Sequence, residues 1–78
     1  MVDYQGRNLL HIAGIFGQKE VAEYLAKIGI DVNLLDFSKS SPLYYAVKHK
    51  NYDTALVLHN MGGKVLAKKR RLLNLIMK

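Results

Sequence analysis

Residues able to do chemistry are few in this chain, and they are not spaced to work together. His11, His49 and His59 are the whole imidazole complement. No two of them stand three or four residues apart, the helical spacing that would bring two rings to one metal ion. His49 and His59 read as solvated helix-end residues. Cysteine is absent, which removes thiolate metal sites, cysteine nucleophiles and disulfide staples; it suits a reducing, intracellular home, the cytoplasm being favoured over the nucleus. Ser38, Ser40 and Ser41 lack the context of a nucleophile elbow and read as turn and cap residues. Gly62-Gly63 has no phosphate-loop spacing around it and reads as a helix stop. The expectation is a protein with no catalytic constellation, no metal and no cofactor.

Charge is the next chemical signal, and its distribution decides its meaning. The net charge is +6. From Met1 to Gly63, six basic residues balance six acidic ones, so the body is neutral. The excess lies in Lys64, Lys68, Lys69, Arg70, Arg71 and Lys78, in a tail without a single acid. Lys68 to Arg71 reads first as a solvated helix face, then as a patch for nuclear import or an acidic partner. Nucleic acid ranks last, because nothing aromatic interleaves with the cations to stack on bases. No run approaches the roughly 18 apolar residues of a membrane span. Met1-Val2-Asp3 does not open a signal peptide, so the chain is expected to be soluble, unprocessed and not membrane-bound.

These residues are positioned by a sequence that repeats itself. At an offset of 33, Asp3, Leu10, Ala13, Ala22, Leu25, Gly29 and Val32 recur as Asp36, Leu43, Ala46, Ala55, Leu58, Gly62 and Val65. A fixed period of this length marks stacked structural units. Within each unit the apolar spacing predicts two helices, from about Asn8 to Ile15 and Lys19 to Ile28, then about Ser41 to Lys48 and Tyr52 to Asn60. Asn8 is a good N-cap, Pro42 suits a first helical turn, and Gly17, Gly29 and Gly62 mark helix ends. Val21, Ala22, Leu25 and Ile28 are expected on the buried face of the second helix. A turn-rich finger, from Ile30 to Ser40, joins the two pairs. The tail allows a third unit cut off in its first helix, but Leu66 to Leu73 are good helix formers without a turn residue. One helix from about Leu66 to Met77 is favoured, with Leu66, Leu73, Ile76 and Met77 covering the open end of the second unit.

Helix, turn, helix and finger at period 33 resemble the ankyrin repeat. In the first unit Asp3, Gly6, Leu10-His11, Ala13, Gly17, Glu20-Val21, Leu25, Gly29 and Asp31-Val32-Asn33 match the family pattern. In the second, Asp36, Ser41-Pro42-Leu43, Ala46, Asp53, Val57-Leu58, Gly62 and Val65 do. The resemblance implies an all-α ankyrin solenoid in a single domain over 1–78: repeat one at 3–35, repeat two at 36–65, and a basic capping helix at 66–78. In the family, a Thr hydroxyl and a His ring tie each helix start to the neighbouring finger. Here repeat one keeps His11 but has Asn8-Leu9, and repeat two keeps Ser41-Pro42 but has Tyr44, so each is expected to hold half of that network. Lys39 and Lys50 replace family glycines, at about 1 kcal/mol each if the backbone still needs positive φ.

By the same resemblance the variable residues of finger and first-helix end face a partner: Tyr4, Gln5, Arg7, Ile15 and Phe16, then Phe37, Ser38, Ser40, Lys48 and His49. Tyr4, Ile15, Phe16 and Phe37 are large and apolar where the family usually places polar groups, which suggests an anchoring patch. Against this, Ile15 and Phe16 could instead pack on the tail or a neighbouring repeat. The implied function is non-catalytic protein–protein interaction through finger and groove; the alternative is an ankyrin appendage that docks or assembles a larger enzyme or channel. About three repeats are normally needed for a continuous core. Two repeats, with Leu9, Ile12 and Val21 near an open end, imply a homodimer or a piece of a longer chain.

Overall fold

The structure, a computed structural model, describes residues 2–76, with side chains as far as Arg71. Five helices follow in order: α1 Leu9–Phe16, α2 Lys19–Lys27, α3 Pro42–Lys48, α4 Tyr52–Asn60 and α5 Ala67–Ile76. No strand forms among the described residues, and the fold is the all-α helix-turn-helix solenoid expected. Among the described residues no helix is long and apolar enough to cross a membrane.

Helices this short are marginal alone, and their ends show what holds them. Asn8 caps α1: its side chain accepts from the His11 amide while the Asn8 amide donates back to the His11 ring, a reciprocal capping box. Ser41 caps α3 through the Tyr44 amide, and Pro42 occupies the first turn. Gly17 closes α1 in the left-handed region at φ 68°. Its counterpart Lys50 adopts φ 61°, and Lys39, counterpart of Gly6, adopts φ 65°. The backbone has kept the family geometry where the side chains have not.

The core consists of Leu10, Ala13, Ala22, Leu25, Leu43, Ala46, Ala55 and Leu58. These are four residues and their copies one period later, so a single cluster spans both repeats. α1 lies chiefly against α3, while α2 packs on α1 and α4 alike. Small residues set the approach: a Cβ on Gly14 would stand 2.7 Å from the Pro42 carbonyl oxygen. On α2 only Ala22 and Leu25 are buried; Val21 is exposed, in keeping with its place near the open end, and the exposure of Ile28 narrows the buried face expected. Among the described residues nothing covers Val21 on that flank of the first repeat.

The tail is one helix against α3 as far as it is described. It starts at Ala67, one residue later than expected; Met77 and the side chains of Leu73 and Ile76 lie outside the described set. Leu66 does not close the repeat end, being 43% exposed. Lys69 does part of that work, its ammonium 5.3 Å from the centroid of the Tyr44 ring.

Candidate interaction surface

Each finger tip is built on an aspartate. Asp3 Oδ1 accepts from the Gln5 and Arg7 amides at 2.9 Å, and its Oδ2 meets Arg7 Nε at 2.8 Å. Asp36 Oδ1 accepts from the Ser38 and Ser40 amides at 2.9 and 2.8 Å. Such turns hold the residue after the aspartate out into solvent. Tyr4 and Phe37 occupy those two tips, fully exposed and 76% exposed. The tips are joined by a hydrogen bond from the Phe37 amide to the Gln5 carbonyl. A Cβ on Gly6 would lie 2.8 Å from the Phe37 ring, so the ring rests over that glycine.

The remaining expected residues fall in distinct places. Phe16 ends α1 with 70% of its surface exposed, Ile15 beside it is half-buried, and Lys48 and His49 are exposed at the end of α3. Gln5 and Ser38 are exposed, and Arg7 is half-buried against Asp3. Ser40 is a correction: only 1% accessible, it is spent on the interior, its amide on Asp36 and its carbonyl on His11. Asn51, which was not anticipated, secures the end of α1 by donating from Nδ2 to the Gly14 and Ile15 carbonyls.

Beneath this surface lies the network that positions it. His11 Nε2 donates to the Ser40 carbonyl at 2.8 Å, tying repeat one to the second finger. Asn8 Nδ2 donates to the Asp31 carbonyl, and Ser41 Oγ donates to the Lys64 carbonyl; the two bonds are one period apart. Asn8 therefore takes the place of the family threonine, and repeat one holds the whole network rather than half. Repeat two cannot repeat the histidine bond, because Tyr44 stands there under Lys69 and Lys48. Sequence reasoning also missed Tyr45, whose hydroxyl donates to Asp36 Oδ2 and whose ring meets His11 edge-on.

The electrostatics follow from these contacts. Burial pulls the His11 pKa below its ordinary value, only partly offset by the Ser40 carbonyl, so the ring is neutral and keeps its proton on Nε2. Burial would raise the Asp36 carboxyl, but the Tyr45 hydroxyl and the Ser40 and Ser38 amides outweigh it and hold the pKa low. Tyr45 is pushed up to about 12 by burial and by that carboxylate. The Arg7 amide is the main cause holding Asp3 low. These shifted groups all serve structure. Among the described residues no three His, Asp or Glu side chains stand close enough to hold a metal.

Residues 1–69 match the family model described as ankyrin repeats, three copies. The chain belongs to the ankyrin repeat family. It is 36% identical over 72 residues to an L-asparaginase of Dirofilaria immitis, covering 92% of this chain and 12% of that protein. Over 60 residues it is 32% identical to an ADP-ribosylation factor GTPase-activating protein of Arabidopsis thaliana, covering 77% and 8%. Over 57 residues it is 33% identical to human transient receptor potential cation channel subfamily A member 1, covering 73% and 5%. The ankyrin chain thus spans no more than 12% of the length of these relatives. Ankyrin repeats are in general protein-interaction modules without catalysis of their own, and the enzyme-named relatives match only over a small part of their length.

Proposed function

We propose that this ankyrin chain is a non-catalytic module that grips another protein with its finger tips and the C-terminal ends of α1 and α3. One observation carries the reading: Tyr4, Phe16 and Phe37 are 101%, 70% and 76% exposed, and two of the three stand on aspartate-anchored turns. The turns hold the backbone that carries Tyr4 and Phe37, and the Phe37 ring rests on Gly6, so less freedom is lost when a partner covers them. Repeat one (3–35) contributes Tyr4, Gln5, Arg7, Ile15 and Phe16; repeat two (36–65) contributes Phe37, Ser38, Lys48 and His49, with the basic helix α5 alongside. A photo-crosslinking residue placed at Phe16 or Phe37 is expected to capture the partner far better than one at Leu56 on α4. Equal capture from all three positions, or retention undiminished by Phe16→Ala and Phe37→Ala, would sink the reading.

A second reading has its own support. Leu9, 60% exposed, lines a depression of about 290 Å³ with Val2, Ile12 and Ile30, and Val21 on α2 is 44% exposed. One period later the same positions, Pro42 and Thr54, are buried beneath repeat one. This face is suited to a further repeat or a second copy, so the chain would act as the ankyrin section of a larger enzyme or channel, or dimerise. A light-scattering mass of one chain across a wide concentration range would remove the dimer.

A further inference from the structure

The second finger and the first turn of α5 enclose a groove of about 630 Å³ lined by Ser38, Lys39, Leu66, Ala67, Lys68 and Lys69. Leu66, 43% exposed, and Ala67 give it an aliphatic side, and three lysines, Lys39, Lys68 and Lys69, share its lining. Lys39 is fixed at the base by its left-handed turn, its amide donating to the Asp36 carbonyl at 2.9 Å. Lys69 is steered by the Tyr44 ring. Among the described residues no acid lines this groove, and the nearby Asp36 carboxylate is committed to Ser38, Ser40 and Tyr45.

We propose that this groove binds an acidic segment of a partner protein carrying an aliphatic side chain, with its carboxylates on Lys39, Lys68 and Lys69 and its apolar group on Leu66. Charge complementarity selects the sign of the partner, and the aliphatic side selects a peptide over a nucleic acid. A base needs an open ring to stack on, and Tyr44, 5% exposed beneath Lys69 and Lys48, offers none. The groove meets the first surface at Ser38 and, through the Tyr44 ring shared by Lys69 and Lys48, at the end of α3, but Phe16 is not part of it, so Phe16→Ala leaves it intact.

The test is fluorescence anisotropy on the full chain, using a labelled peptide of alternating glutamate and leucine. Binding is expected to weaken about tenfold in Lys68→Glu and again in Leu66→Ser, two exposed positions whose variants keep the parent melting temperature. A glutamate–serine peptide of equal charge is expected to bind more weakly. Equal binding of the two peptides, binding unaffected by both substitutions, no binding at low salt, or tighter binding of a mixed single-stranded oligonucleotide would overturn the proposal.

Discussion

His11 shows how much one side chain carries here: it closes the cap of α1, crosses to the second finger and packs against Tyr45. Its pKa lies below the ordinary 6.5 in the folded chain because burial disfavours the charged ring. The unfolded chain therefore binds the proton more readily, and the stabilisation is complete above 6.5 and lost as pH falls through the folded value. Calorimetry is expected to show stability declining by up to ~1.4 kcal/mol per pH unit as pH falls from 6.5 towards the folded value. His11→Gln flattens this limb and costs about 1–3 kcal/mol near neutrality, where the Ser40 carbonyl loses its donor. Lys50→Gly moves the other way: it relieves a left-handed lysine at φ 61° and raises the urea midpoint by the equivalent of about 0.5–1 kcal/mol. The role of His11 and the strain at Lys50 were legible because a repeat pattern assigns each position a job. The bond between Tyr45 and Asp36 was not, since Tyr45 is the counterpart of Ile12 and the period marks it as apolar.

At the level of elements, sequence spacing located every helix, with bounds shifted by one residue where caps such as Asn8 and Ser41 belong to both helix and loop. What spacing could not supply was how close neighbours come. Gly14 stands where repeat two has Val47, and a methyl group there would meet the backbone of α3 at 2.7 Å. Although alanine is the better helix former by ~1 kcal/mol, Gly14→Ala is expected to destabilise the chain by about 1–3 kcal/mol, read as a lower urea midpoint with unchanged slope. An unchanged midpoint would mean that α1 and α3 can separate without loss. The docking of α5 on the second repeat was expected from its apolar positions, but the part Lys69 plays in it was hidden, because a lysine counts as solvent-facing until a tyrosine is known to lie beneath it.

Over the whole molecule, eight core residues from two repeats form one cluster, so neither repeat owns an interior. Far-UV circular dichroism and tyrosine fluorescence are accordingly expected to report one coincident melt; two separated transitions would show that the repeats are independent. The candidate surface was only half legible: exposure at Tyr4, Phe16 and Phe37 followed the pattern, whereas Ser40 went inside because finger geometry turns its amide toward Asp36. The matched bonds from Asn8 to Asp31 and from Ser41 to Lys64 each close over 23 residues, which gives the chain a quantum of length. Gain or loss of a whole period re-forms both clasps in register, while inserting a single residue between cap and finger displaces a donor from its carbonyl. Tolerated length variation should come in steps of 33, or be confined to segments outside the clasps.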